Sequence, residues 1–368
     1  MSEMEQAPRG TAPGTCGQLG RYRLIEPLGV GGMAETFRAT YSGPAGFERT
    51  VVVKRILPAN GADPEFLQMF AAEARILGML HHPNVVQVYD FGESEGTLFL
   101  VLEYVDGPSI ARLLRVLRKA RRPVPLAIAA QIAREICRAL YYVHGLRTSD
   151  GEPMHVIHRD VTPSNIMLTT TGAVKLLDFG IAKYETSGTY TQHRMVKGKT
   201  SYMAPEILEE RGFDARADLF ALGVVLHEIL TLTPLFTGDN DLATLRKVME
   251  MRIEPPSRRR PDVPTRLDTI TMTALQRDPG QRYANAGAMA RALDEFVIDS
   301  KLHSEGVVDF LREIEPLLNE PTPSLAEILA ASPGSLRTEP EAEVTKRDLR
   351  LRLRMSPIGR FLFRRDVK

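Results

Sequence analysis

The period of the hydrophobic pattern changes once along this chain. From Tyr22 to about residue 104, short apolar runs such as Val51–Val53 and Leu98–Leu102 alternate with turn residues. One helical stretch, FLQMFAAEARILGML, interrupts them. The pattern predicts a small strand-rich lobe with one main helix over residues 21–104. Beyond residue 108 the period becomes helical: Ile110, Leu113, Leu114 and Leu117 make one stripe, and Ile128, Ile132, Ile136 and Leu140 another. A larger helical lobe is predicted over 108–298, with IMLTTTGAVKLLDF forming a hairpin inside it around a Thr-Thr-Gly turn. The expected fold class is therefore α+β, in two lobes. Residues 1–20, rich in Gly, Pro, Ser, Thr and Glu, read as a disordered lead-in, so structure is expected from about Tyr22. At the other end GVVDFLREIEPLL predicts a helical extension within 299–320. Residues 321–368 read as a Pro- and Glu-rich linker, followed from Lys346 by a strongly basic tail.

Composition narrows the class without choosing a function. A chain of 368 residues with 43% hydrophobic and 25% charged residues can bury a large core. The net charge of +1 gives no general reason to expect nucleic acid or membrane as partner. Cys16 and Cys137 are the two cysteines, far apart and without metal-ligand spacing, which fits a reducing, cytoplasmic compartment. The most apolar stretch, LFALGVVLHEILTLTPLF, carries His227 and Glu228, and the N-terminus lacks a basic-then-apolar leader. No membrane span is expected.

Candidate chemistry enters with several short strings. LGVGGMAETF sets Gly29 and Gly31 in G-x-G spacing after a predicted strand, where backbone amides could approach phosphate oxygens. A glycine-rich hairpin turn has the same spacing, and no helix opens directly after the glycines as a dinucleotide fold requires. VVVK then puts Lys54 at a strand end, and Glu73 falls in the following helix. Taken singly, each is an ordinary surface charge. HRDVTPSN at 158–165, followed after the hairpin by DFG at 178–180, is far more specific.

With these strings the sequence resembles the eukaryotic-like protein kinases, in their bacterial serine/threonine branch, over roughly residues 22–297. The order is the family's: glycine loop, VVVK, helix glutamate, LEYV hinge, HRD, DFG, APE at 204–206, then DLFALG and RDPGQRY. The resemblance implies a protein-kinase-like fold and transfer of the γ-phosphate of ATP to protein serine or threonine hydroxyls. Asp160 would orient the acceptor hydroxyl and take its proton. Asn165 and Asp178 would hold Mg²⁺, with Mn²⁺ able to replace it, and Lys54 held by Glu73 would bind the α- and β-phosphates. ATP would lie against Leu28, Gly29, Val30, Gly31 and Gly32 of the loop, with Thr36 and Val52 above the adenine. Leu102, Glu103 and Val105 would face it from the hinge, and Met167 from below. Leu77, Val88, His158 and Phe179 would stack toward Asp218, and Glu206 would pair with Arg282.

The departures from the family pattern matter as much. Ala34 replaces the third loop glycine, Thr36 the following valine, Val52 the alanine before the lysine, and Phe220 the usual tryptophan. Thr162 stands where the family has a lysine facing the transferring phosphate, while Lys199 stands where it has a threonine. The two types have traded places, so the resemblance implies that Lys199 supplies the missing ammonium and that Thr162 bonds to Asp160. Arg159 and Lys183 invite phosphorylation between DFG and APE, at Thr191 first and Thr189 next. Self-association would serve trans-autophosphorylation. Two competitors share much of this signature. A pseudokinase would bind nucleotide or partners without turnover; a small-molecule phosphotransferase would not need the APE segment. The basic helix RLLRVLRKARR reads either as a solvated face or as a dock for acidic substrates.

Overall fold

The computed structural model describes residues 17–30, 34–57, 63–179, 200–209, 212–299 and 306–320. The Gly31–Gly32 tip, Lys183, Thr189, Thr191, Lys199 and the tail from 321 onward lie outside them.

The small lobe is a six-stranded antiparallel sheet in the order β1-β2-β3-β4-β6-β5. Its strands are β1 (Gly17–Leu19), β2 (Tyr22–Val30), β3 (Ala34–Ser42), β4 (Glu48–Ile56), β5 (Val88–Ser94) and β6 (Thr97–Glu103). Strand β1 corrects the expected boundary: Gly17–Leu19 pair with β2, and Leu19 is buried, so the sheet starts before Tyr22. The run Val51–Val52–Val53–Lys54 serves both faces of β4, because side chains alternate along a strand. Val51 and Val53 join Phe37, Ala39, Phe99 and Val101 in a small-lobe core. Val52 faces the other way and packs on the main core with Leu102, its cross-strand partner. The sheet also curls, since Asp90 of β5 accepts from the Tyr22 hydroxyl at 2.7 Å and from Arg21 at 3.0 Å, although β5 and β2 are far apart in strand order. Helix α1 (Pro64–Gly78) packs beside β5 and presents Glu73, only 5% exposed, toward β4.

The larger lobe is helical, as its periodicity predicts. It comprises α2 (Ile110–Ala120), α3 (Leu126–His144), α4 (Pro205–Leu208), α5 (Arg216–Thr231), α6 (Asp241–Glu250), α7 (Thr265–Ala274), α8 (Ala286–Asp299) and α9 (Val307–Leu318). Every residue of α5 from Ala217 to Leu230 is buried. That explains the most apolar stretch of the chain: it is a helix buried on all sides in the core, not a membrane span. Among the described residues no helix is long and apolar enough to cross a membrane. The predicted hairpin is present as β7 (Ile166–Leu168) and β8 (Val174–Leu176).

The lobes meet at the segment after β6. Gly107 adopts φ +152°, and a Cβ there would lie 1.9 Å from the Leu168 carbonyl oxygen, so only glycine lets this segment pack on β7. Pro108 O accepts from Leu168 N at 3.0 Å and Asp106 O from Thr170 N at 2.8 Å. Ser109 then caps α2, its hydroxyl accepting from Arg112 N. The cations of α2 are partly spoken for. Arg118 binds the Leu232 carbonyl, Arg112 the Leu318 carbonyl, and Arg122 pairs with Glu313. Helix-end carbonyls lack intrahelical donors, so Arg112 and Arg118 close the ends of α9 and α5, while Arg122, just past α2, pairs with a carboxylate of α9.

Candidate active site

The fold gathers five charged or polar side chains from distant segments at the cleft. Lys54 Nζ lies 3.0 Å from Glu73 Oε1 and 3.1 Å from Asp178 Oδ1. Burial alone would pull the Lys54 pKa down, but Asp178 and Glu73 outweigh it and hold the ammonium above the ordinary lysine range. The register of three strands sets Gly29 opposite Thr36 and Thr36 opposite Lys54, so the three line up across β2, β3 and β4, with Thr36 and Lys54 on one sheet face. Leu28 and Val30 are well exposed at that loop, whereas Leu102 and Val105 are buried at the hinge. Val52 and Met167 are partly buried against the main core.

Asp160 and Asn165 form the second half of the site. Asn165 Nδ2 donates to Asp160 Oδ2 and to Asp160 O, each at 2.9 Å, which leaves the amide oxygen as the atom for a cation. His158 stands behind them. Its Nδ1 accepts from Asp160 N at 3.2 Å, so its Nε2 carries the hydrogen and donates to Leu177 O at 2.9 Å. The same ring packs 4.4 Å from Phe179, and Leu177 N donates to Asn165 O at 2.8 Å. The Asp160 loop and the Asp178 loop are thereby locked together.

Strain is stored where the chemistry sits. Arg159 and Asp178 have φ of 65° and 39°, left-handed values that cost roughly 1–3 kcal/mol each in a non-glycine residue. Asp218 of α5 holds the first of them. Its Oδ2 accepts from His158 N and its Oδ1 from Arg159 N, both at 2.8 Å, and His144 Nε2 lies 2.8 Å from Oδ2. Burial would raise the Asp218 pKa, but His144 and the backbone donors hold it below the usual carboxylate range. Leu77 is buried and Val88 packs on the same core as Phe179. Glu206 and Arg282 form a two-pronged pair at 2.6 and 2.7 Å, with Arg282 fully buried.

Thr162 is 5% exposed and lines a small cavity with Asp160, Arg159, Tyr202, Met203 and Ala204. Its proposed partner Lys199 lies outside the described residues, next to the buried Thr200. Sequence reasoning missed three supports: His144 at Asp218, Tyr202 donating to Glu228 at 2.9 Å, and Lys175 at Glu103. Burial pushes Glu228 above the ordinary carboxylate range. The signal for Glu228 was a carboxylate within the most apolar stretch of the chain.

The family description of the protein kinase domain matches residues 22–294. The chain belongs to the protein kinase family, in its bacterial, eukaryotic-like branch. Among its relatives, tyrosine-protein kinase MasK of Myxococcus xanthus is 43% identical over 278 residues, covering 76% of this chain and 43% of that protein. Serine/threonine-protein kinase PknB of Mycolicibacterium smegmatis is 39% identical over 275 residues, covering 73% and 42%. The match thus spans under half the length of either relative. The crystal structure of the Mycobacterium tuberculosis PknI kinase domain superposes with a TM-score of 0.56 at 27% identity, over 78% of this chain and 99% of that one. The two-lobed protein kinase fold follows. Helix α9 lies beyond the part that matches the family description.

Proposed function

We propose that this chain is an ATP-dependent serine/threonine protein kinase. The observation that carries the reading is the pairing of Lys54 and Glu73 of the small lobe with Asp178, whose segment is tied to the loop that holds Asp160 and Asn165. The donor set suits a hard divalent cation: the Asn165 amide oxygen and the half-exposed Asp178 carboxylate are oxygen ligands of the kind Mg²⁺ takes. Mg-ATP supplies the phosphoryl group when bound. Lys54, kept charged between two carboxylates, is poised for phosphate oxygens in place of Asp178. Asp160, oriented by Asn165, aligns an acceptor hydroxyl and takes its proton.

Serine/threonine specificity rests on Pro163, buried directly after Thr162, and on the TSYMAPE string. Protein substrates, self-association for trans-phosphorylation and a phosphosite at Thr191 or Thr189 are parts of the same proposal. A second reading, tyrosine specificity, is favoured by the name of the 43%-identical relative. One experiment separates these: transfer of labelled phosphate from Mg-ATP to the chain itself and to a generic acceptor, followed by phosphoamino-acid analysis. Asp160→Asn and Asp178→Ala are each expected to abolish transfer without unfolding the protein. Undiminished autophosphorylation in either variant would sink the kinase reading, and phosphotyrosine alone would sink the serine/threonine reading.

A further inference from the structure

The β7–β8 hairpin has two unlike faces. Ile166, Leu168, Val174 and Leu176 are all 0% exposed on one of them. The register pairs Met167 with Lys175, so these two side chains share the other face, where the adenine floor is proposed. A lysine in that place would ordinarily reach for water. Here only 13% of its side chain is exposed, and Nζ lies 2.8 Å from Glu103 Oε2.

Glu103 ends β6 and opens the hinge. The same Oε2 accepts from Gln87 N at 3.1 Å, and Glu103 N donates to Gln87 O at 2.8 Å. Just upstream, the chain is laddered to β8: Val86 N donates to Leu176 O at 3.0 Å, Leu176 N to Asn84 O at 2.8 Å, and Asn84 Nδ2 to Val174 O at 2.9 Å. The hinge, the 84–87 segment and the strand that runs into Asp178 therefore form one layer. Lys175 and Glu103 tie its outer members with opposite charges.

We propose that Lys175 is a positioning residue for nucleotide binding. Through Glu103 it fixes the hinge backbone against the Met167 floor and against the strand leading to Asp178. The inference deepens the kinase reading and rests on it. The physical reason is that the pair is largely shielded from water and little screened by salt, unlike an exposed ion pair. Without the ammonium, the Glu103 carboxylate keeps one backbone donor and gains most by turning to solvent, which loosens the hinge. The effect falls on nucleotide affinity more than on turnover, because neither Asp160 nor Asp178 loses a partner.

The test uses the full chain and Mg-ADP, which reports binding without turnover. Calorimetry on Lys175→Met should give a dissociation constant about five- to tenfold higher, whereas Lys175→Arg, which keeps the charge, should bind as the unaltered protein does. The double variant Lys175→Glu with Glu103→Lys should recover more affinity than either single change, even where Lys175→Met folds poorly. A matching split in activity is expected, with KM for ATP rising more than kcat falls. Unchanged ADP affinity in Lys175→Met, an Arg variant as weak as the Met variant, or a lower melting temperature with no loss of affinity would each overturn the proposal. Failure of the unaltered chain to transfer phosphate would instead overturn the kinase reading, leaving the ADP result to judge Lys175 by itself.

Discussion

Helix α9 lies beyond residues 22–294, yet it is built into the large lobe rather than laid on it. Val307, Phe310, Leu311 and Ile314 are buried in the main core, and Val308 packs on Gly172 in the turn of the β7–β8 hairpin. Arg112 satisfies the Leu318 carbonyl at 2.7 Å, and Arg122 pairs with Glu313. Phe310→Ala tests whether this helix folds as one unit with the lobe. Phe310 is 1% exposed, and removing a buried phenyl ring costs roughly 3–5 kcal/mol from the lost transfer energy and the cavity left behind. Against a total stability of about 5–15 kcal/mol that is a large fraction, and it corresponds to a drop of about 10 °C in melting temperature for a domain of this size. The chain has no tryptophan, so far-UV circular dichroism during urea unfolding is the suitable probe. A lower midpoint with an unchanged slope is expected. If α9 instead opens locally before the rest, the substitution changes only that opening and the global midpoint stays put. An unchanged midpoint would therefore refute the claim that the domain extends to Leu318.

Glu206→Ala should cost about 3–5 kcal/mol by leaving the buried Arg282 guanidinium without its carboxylate, though it keeps the Gln276, Arg216 and Arg277 carbonyls; a double-mutant cycle with Arg282→Met on chemical denaturation should show coupling, and strictly additive losses would refute it. His227 donates from Nε2 to Glu254 O, and burial pushes its pKa down from 6.5 to about 4. Between those values the unfolded chain binds a proton that the folded chain refuses, so this group's contribution is complete above pH 6.5 and is lost by up to about 3 kcal/mol as pH falls toward 4. His227→Gln, which keeps a donor near Nε2, should flatten the decline measured by urea midpoints at neutral and acidic pH, and parallel declines would count against the assignment. For the traded residues, Lys199→Thr should slow phosphate transfer by about 10²- to 10³-fold, and Lys199→Thr with Thr162→Lys should regain much of it; strictly additive effects on turnover would show that the exchange is not real.

Much of this protein was determined by the sequence alone because the deciding signals are local. The switch from alternating to helical periodicity separated the lobes. Gly107 apart, the cleft residues sat in strings whose order identified the family, and the Lys54–Glu73 and Glu206–Arg282 pairs followed from that order. Tertiary structure decided what depends on approach between distant segments. No local rule reveals that β1 adds an edge before Tyr22, or that Gly107 must clear the Leu168 carbonyl. The cations of RLLRVLRKARR illustrate the same limit. Their spacing is that of a solvated face, but Arg112, Arg118 and Arg122 find a carbonyl or carboxylate only where other helices end or pass. Lys175 is the sharpest case, for its place in an alternating strand puts it on the polar face, and only the fold brings Glu103 to meet it. A side chain's period tells which way it points; what lies there is set by chain packing far away in sequence.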